Sequence, residues 1–371
     1  MRKRKPFIIV AVIICIICFI FSFVVFYGGL DKKDDFIFDF DKLSIKNFFY
    51  HIKHGKQEKQ LYLTFETIDE GYDIYNPIRL GYRYGPSIIY YEDGSMDAWF
   101  ASNGNSSTQW DWITYRHYDG ENWSDEEIVL RPTVDSRDHY SVCDPGVIYF
   151  NGYYYIGYTS TENADKGGIE NSVYVARSTN PNGPYEKWNG DGWGGNPWPI
   201  IEYKENDGGW GAGEISFVIV DDELLCYYSW IDATNASRTK LAVAPLQDDW
   251  PSHLQEKGTV INRINGQGSL DFVYNDSYKK VLGICVEASF ERSSSIAVYQ
   301  SDDGINFKQI DTIRDKILNY SHNIGISKKS DGHFGLDDKL CIGYAYSKDS
   351  NRTWGSWATL IQQIEFKAIY K

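Results

Sequence analysis

The sequence is short of positive charge and of cysteines spaced for any recognisable chemistry, and both shortages narrow the field. Lys and Arg total 37 against 51 Asp and Glu, a formal net charge of −14. Arg2, Lys3, Arg4 and Lys5 hold four of those positive charges at one end, and no other comparable cluster follows. That balance excludes nucleic acid as a partner, because phosphate binding draws on clustered Lys and Arg. It equally excludes a peripheral basic membrane patch. The six cysteines form no CxxC pair. Cys15 and Cys18 fall in an apolar run, and Cys143, Cys226, Cys285 and Cys341 in separate strand-like segments. This is not the dense spacing of a disulfide scaffold, and it fits buried thiols acting as small hydrophobes.

What is present is apolar and aromatic. A hydrophobic content of 42% supplies a large core and excludes a mainly disordered chain. Aromatics make up 16% of the chain, with 29 Tyr and 12 Trp. Aromatic residues pack well on pleated surfaces, so the composition predicts a β-rich fold, and flat rings also suit sugar binding. From Phe7 to Tyr27 the chain is apolar for 21 residues, broken only by Ser22, close to the ~20 needed to cross a bilayer. Arg2–Lys5 before it and Asp31, Asp34 and Asp35 after it predict a signal anchor with the N-terminus inside and the rest outside the cell. No small-x-small site follows the run, and a cleaved signal peptide is the alternative. The expected organisation is a basic segment over 1–6, a transmembrane helix over 7–27, a charged stalk over 28–78 and one globular domain over 79–371.

Within that domain one pattern recurs: a small or polar residue, an alternating apolar run, a turn at Asp, Asn or Gly, and an aromatic-rich return strand. The copies begin at Tyr84 (YGPSIIYYEDGSMDAWFAS), Cys143 (CDPGVIYFNGYYYIGYTS), Gly213 (GEISFVIVDDELLCYYSW), Ser269 (SLDFVYNDSYKKVLGICVEAS) and His322 (HNIGISKKSDGHFGLDDKLCIGYAYS). Register marks Gly85, Asp144, Glu214, Ser269 and Asn323 are spaced by 59, 70, 55 and 54 residues. Each turn carries hairpin chemistry, as at Asp93-Gly94, Asn151-Gly152 and Asp331-Gly332. A third strand and a further Gly/Asp turn follow in several copies, for instance Ser178-TNPNGPY and Ser301-DDGINF. Four strands every 50–60 residues predict a five-bladed β-propeller, all-β, whose blades bury their faces against one another. A β-sandwich also holds many strands, but it gives no reason for the five-fold register.

A propeller gathers the starts of its innermost strands at one end of a central channel. Asp144 and Glu214 stand in equivalent register there on adjacent blades. Burying an acid in front of an apolar strand costs several kcal/mol unless it is paired. Two converging carboxylates suit acid/base work on a glycosidic bond, one protonating the leaving oxygen while another group activates water. The competing structural readings are an Asp-Pro turn cap at Asp144-Pro145 and a solvated lip residue at Glu214. Loops expected at the same end bring Asp111 beside Trp110, Asp138 beside His139, and Trp210 before Glu214. Candidate sugar contacts are Arg83, Trp110, His139, Trp193, Trp210, Trp230, Asp271 and Arg292; inter-blade packing is the alternative for the tryptophans, and for Trp112 and Trp198 it is the preferred reading. His322 is a candidate channel ligand to a cation or water, or else a satisfied structural residue.

These residues resemble a known group. Asp144-PGVIYFNGYYYIGYTS with Tyr174-VARSTNPNGPY, together with Ser301-DDGINF, is similar to the strands and outer hairpins of five-bladed propeller glycosidases of the family 43/family 32 superfamily. The likeness is chiefly to family 43, the arabinanases, arabinofuranosidases and xylosidases, and runs over roughly residues 80–365. It implies an inverting glycosidase acting on an arabinan- or xylan-type carbohydrate, with Glu214 as general acid and Asp144 tuning that acid's pKa. It implies no required cofactor, at most a structural Ca2+ in the channel with His322 as its counterpart. The expected partners are a carbohydrate substrate and, through the N-terminal helix, a membrane, with the protein a monomer. One departure stands out. Where the family's blade one offers Asp-Pro as general base, this chain has Gly85-Pro86. Asp111, Asp138 or Asp271 then remain as base, or catalysis is lost and the propeller binds surface glycan or organises an envelope assembly. A phosphorylase or transglycosylase is a third reading, with Arg137, His139 and Arg292 as scattered candidates for an anion site. Arg83 and Ser347-KDSNRTW also resemble the blade-one Arg and Asp-box of sialidases, which have six blades rather than five.

Overall fold

The computed structural model describes residues 60–370, apart from 76–80, 105–109, 163–167, 264–268 and 348–356. The folded unit begins at Gln60. The apolar run over 7–27 therefore lies outside the described residues; among those described, no helix is long and apolar enough to cross a membrane.

Alternating apolar residues between Asp, Asn and Gly turns fold as antiparallel hairpins. Two strands, β1 (Leu61–Thr67) and β2 (Tyr72–Tyr75), come first. Blade one is β3 (Arg83–Tyr90), β4 (Met96–Asn103), β5 (Asp111–Tyr118) and β6 (Glu127–Leu130). Blade two is β7 (Cys143–Phe150), β8 (Tyr153–Ser160), β9 (Ser172–Ser178) and the short β10 (Glu186–Lys187). Blade three is β11 (Gly211–Val220), β12 (Glu223–Ile231), β13 (Ser237–Pro245) and β14 (Gln255–Arg263). Blade four is β15 (Leu270–Asn275), β16 (Lys280–Glu287), β17 (Ser295–Ser301) and β18 (Lys308–Ile313). Blade five runs from β19 (Ser321–Lys328) through β21 (Leu340–Ser347) to β22 (Trp357–Tyr370). A short β20 (His333–Phe334) leaves the β19–β21 turn and lies parallel to β15 of blade four.

The innermost strands touch in a ring: β3 with β7, β7 with β11, β11 with β15, β15 with β19, and β19 back to β3. At the seam β19 and β3 share a two-residue parallel ladder, Ser327 with Ile88 and Lys328 with Ile89. The ring is tight. A Cβ at Gly146 would stand 1.9 Å from the Ile215 carbonyl oxygen, and one at Gly325 would stand 1.8 Å from that of Pro86. Only glycine fits at such an approach, so the Gly of the second and fifth copies belongs to channel closure.

The outermost strand of blade five comes from the other end of the domain. Over its whole length β1 pairs antiparallel with β22, from Leu61 opposite Tyr370 to Thr67 opposite Ile364, and β2 pairs farther along the same strand. Residues 60–75 therefore belong to the propeller, which corrects the stalk expected over 28–78 and moves the domain start from 79 to 60. Closing the last blade with an N-terminal strand protects an edge that would otherwise be free to pair with another chain. Between blades the faces pack dry. Ile148, Tyr155, Phe217 and Trp250, for example, form one cluster joining blades two and three.

Candidate active site

Four of the five innermost strands begin with the same local irregularity. The ladder to the second strand slips between Tyr84 and Ser87, Cys143 and Gly146, Gly213 and Ser216, and His322 and Ile324. Within each slip one residue takes the left-handed conformation: Gly85 at φ 57°, Asp144 at 49°, Glu214 at 50° and Asn323 at 42°. A bulge of this kind re-aims one side chain out of the strand's alternation, and non-glycine residues held there carry strain that gathers at functional sites. Gly85, Asp144, Glu214 and Asn323 all line one cavity at the channel mouth, of about 30 Å³, together with Ser87, Ser216 and Asp271. That is room for an ordered water.

The two acids meet as the register predicts. Asp144 is buried, with 8% of its surface exposed, while Glu214 is half-buried. Burial first, and then the charge of Glu214, raises the pKa of the Asp144 carboxyl above its ordinary range. Both side chains line the same cavity, so the charge on one bears on the titration of the other. Asn323 Nδ2 donates to Asp144 Oδ1 at 3.0 Å, and Cys143 Sγ donates to Asp144 Oδ2 at 3.4 Å. The Thr159 hydroxyl accepts from the Glu214 backbone N–H at 2.8 Å and hydrogen-bonds Asp144 with its own proton. Asn323 and Thr159 were not among the sequence candidates. Asn323 stands at a register position beside His322, but a neutral amide carries no acid/base signal; Thr159 gives no signal in the sequence.

Asp111 bears on this pair through its charge. It accepts from Tyr82 at 2.6 Å and from Ser141 at 2.9 Å, and it acts electrostatically on Asp144 without lining the cavity. Burial pushes its pKa up to about 6. Trp110, just before it, stacks on Tyr140 with centroids 5.8 Å apart, and Tyr140 packs on His139 at 3.6 Å. All three rings are part-exposed at the mouth. Trp210 is also part-exposed, and its ring edge would meet a Cβ placed on Gly213, next to Glu214. Arg292 is exposed in the β16–β17 loop, at the end of the blade where the channel strands start.

Several candidates are structural instead. Asp138 is fully buried, forms an ion pair with Lys187, and accepts from Tyr158, Ser136 and the Thr133 backbone N–H. With its oxygens so engaged and no path to solvent, it is not a general base. Asp271 lines the cavity floor but is locked there by Lys328 at 2.6 Å, Ser216 at 2.6 Å and the Ile326 N–H at 2.9 Å. It ties blades three, four and five together and is free for neither base work nor sugar binding. Arg83 forms a two-pronged pair with Glu126, at 2.6 and 2.8 Å, and donates to Asn103. It braces blade one rather than reaching for substrate. Trp193 packs against Tyr155 and Trp188 and donates to the Asp248 carbonyl, and Trp230 lies between Tyr203 and Lys240. Both are part-buried and pack against the core shared by blades two and three, with Trp230 opposite Ala212 at the end of β11 that carries Glu214. Trp198, expected as inter-blade packing, is 50% exposed under the Arg137 guanidinium.

His322 sits among the rings of Tyr84, Phe290 and Trp357, at centroid distances of 5.7, 4.9 and 4.1 Å. Burial pushes its pKa down to about 3, so the imidazole is neutral. Among the described residues no group of three or more His, Cys, Asp or Glu side chains could hold a metal. Ca2+ takes six to eight oxygen ligands, and an aromatic cage does not supply them. The donor set at His322 does not fit the channel Ca2+ that the resemblance implies.

No protein-family model and no curated protein matches the chain. Solved structures do. A family 117 glycoside hydrolase of the marine bacterium Zobellia galactanivorans aligns with TM-score 0.58 at 15% identity, over 83% of this chain and 91% of that one. An α-L-arabinofuranosidase of Podospora anserina, solved with cellotriose, aligns with TM-score 0.58 at 10% identity, over 81% and 96%. An endo-arabinase of Bacteroides thetaiotaomicron aligns with TM-score 0.51 at 16% identity, over 81% and 97%. This chain shares the five-bladed propeller fold of these glycoside hydrolases.

Proposed function

We propose that the protein is a glycoside hydrolase acting on a polysaccharide or oligosaccharide, with Glu214 as general acid and Asp144 as the partner that keeps that acid protonated. The observation carrying this reading is the pair itself. Two carboxylates from adjacent blades leave matching left-handed bulges and share one small cavity, and the charge of Glu214 adds to burial in raising the pKa of Asp144. Such a pair holds a proton at neutral pH for delivery to a leaving oxygen. An arabinan- or xylan-type substrate is supported by the likeness in fold to arabinofuranosidases and an endo-arabinase; the inverting course rests on the motif resemblance alone. Asp111, with its pKa near 6, is the carboxylate best suited to stand in as base from outside the cavity. Trp110, Tyr140, His139 and Trp210 offer ring faces and edges at the mouth for stacking on sugars. The apolar run over 7–27 supports anchoring of the enzyme at the outer face of a membrane.

The test is hydrolysis of a panel of aryl glycosides and cell-wall glycans by the wild type, Glu214→Gln and Asp144→Asn. Loss of about 10²–10⁴-fold in kcat for Glu214→Gln, the range general acid catalysis contributes, is expected; equal turnover by the variant overturns the assignment. One feature favours a second reading, a propeller that binds glycan without cleaving it: Gly85 occupies the register position where a third acid would act. Glycan binding unaffected by Glu214→Gln, with no turnover of any substrate, would establish that alternative.

A further inference from the structure

A proton held by the pair has two homes, and the surroundings of Asp144 discriminate between them. Every hydrogen bond described at its carboxyl is one in which Asp144 accepts. Oδ1 takes the Asn323 amide at 3.0 Å and Oδ2 takes the Cys143 thiol at 3.4 Å. Thr159 adds a third contact, one that favours the ionised carboxyl as a donor does. Donors directed at a carboxyl favour its ionised form. Of the three, the amide is the strongest neutral donor; the thiol is weak.

We infer that Asn323 is a positioning residue that holds Asp144 as the carboxylate and so places the pair's proton on Glu214. It comes from blade five, across the channel from blades two and three, and its own bulge at φ 42° brings the amide to Asp144. With 7% of its surface exposed, water does not readily replace it. The other groups facing Asp144 are Glu214 on β11, Asp111 on β5, Tyr84 on β3 and Cys143 on its own strand. Asp111 and Glu214 oppose charge on Asp144, and the phenol and thiol are neutral at pH 7 because burial raises both. Asp271 and Lys328 deeper in the channel compensate each other. Asn323 is thus the amide donor set against burial and two acids, which raise the Asp144 carboxyl. The catalytic consequence of this inference rests on the glycosidase reading; the placement of the proton does not.

The experiment uses Asn323→Gly, which accepts the left-handed backbone as Gly85 does, and Asn323→Ser, which keeps a short donor. Carboxyl 13C NMR titration of labelled protein, with Asp144→Asn and Glu214→Gln for assignment, reads the proton directly. The expected result is a neutral-range proton on Glu214 in the wild type and its transfer to Asp144 in Asn323→Gly. Asn323→Ser is the second variant should the glycine variant fail to fold. A proton on Asp144 in the wild type, or an unchanged distribution in both variants, overturns the inference whatever the activity. In rate assays, Asn323→Gly should lose about 10–100-fold on glycosides with poor leaving groups, the value of a hydrogen bond to a charged group. It should lose little on dinitrophenyl glycosides, which need no acid. Equal loss on both substrates refutes the positioning role. If Glu214→Gln itself shows no such leaving-group dependence, the glycosidase reading fails and the NMR result still decides the inference.

Discussion

Gly85→Asp puts the missing blade-one carboxylate to a direct test. A Cβ at Gly85 would lie 3.6 Å from Asp144 Oδ1 and 3.7 Å from Asn323 Nδ2, ordinary contact distances, so the side chain enters without a clash. Its backbone is at φ 57°, within 15° of those of Asp144, Glu214 and Asn323, at 49°, 50° and 42°. The left-handed conformation costs an L-residue about 1–2 kcal/mol, less for Asp than for most. A third carboxyl beside the coupled pair adds repulsion, relieved by uptake of a further proton. For a domain of this size a loss of about 1–2 kcal/mol lowers Tm by about 2–8 °C. Against that stands the rate. A general base contributes about 10²–10⁴-fold. If Asp111 acts as base only from outside the cavity, a carboxylate within it should raise kcat/KM by about tenfold or more. The assay is hydrolysis of one aryl glycoside by wild type, Gly85→Asp and Gly85→Ala, alongside thermal unfolding. Gly85→Ala carries the strain without the base and should lose stability without gaining rate. A folded Gly85→Asp protein whose rate stays at or below wild type, while Glu214→Gln still abolishes it, refutes the argument that blade one lacks its base.

Two further outcomes follow from the same geometry. Asp138→Asn removes one partner of a buried ion pair and leaves Lys187 with an uncompensated charge. Unfolding in denaturant should show a loss of about 3–5 kcal/mol, with the pH profile of the remaining activity unmoved; a displaced profile would return Asp138 to the site. Asp111 must be ionised to act as a base, and burial sets its pKa at about 6. Activity should therefore fall as pH drops below about 6, and Asp111→Asn should lower the plateau and remove that acidic limb. The same upward shift makes the protonated Asp111 the better-tolerated form in the fold, so its contribution to stability is lost as pH rises through 6, opposite in sign to the activity. An acidic limb that survives Asp111→Asn assigns the base elsewhere.

The parts of the fold legible in the sequence are those built from neighbours. Each inner hairpin closes over a turn of a few residues, so Tyr84, Cys143, Gly213, Ser269 and His322 announced the blades, and the register of Asp144 and Glu214 came with them. What stayed hidden depends on partners far along the chain. The strand Leu61–Thr67 alternates well enough, but the strand it closes upon ends at Tyr370, and nothing local says so. Asp138, Asp271 and Arg83 share one history: each stands close to the mouth in sequence and has the right chemistry. Each is neutralised by a partner, Lys187, Lys328 or Glu126, that lies 43 to 57 residues away. A buried acid is read correctly only once its counter-charge is placed, and spacing alone does not place it.

The bulges explain why the acids that do belong to the site escape that fate. In a flat inner strand, alternate side chains point into the faces between blades, where an acid must find a salt bridge or raise its pKa until neutral. Asp271 took the first course from within its strand. A residue in the left-handed bulge leaves that alternation, and the four bulged residues line one cavity with Ser87, Ser216 and an Asp271 already paired to Lys328. Asp144 and Glu214 therefore meet no cation there, and the charge of Glu214 shows as a raised pKa at Asp144. The same backbone position holds Gly85 and Asn323, a residue without a side chain and one without a charge. Four equivalent bulges thus carry two acids, one amide donor and one niche. Substitution at those four positions, with the scaffold untouched, is enough to vary the number of protons the site holds and the group that holds them.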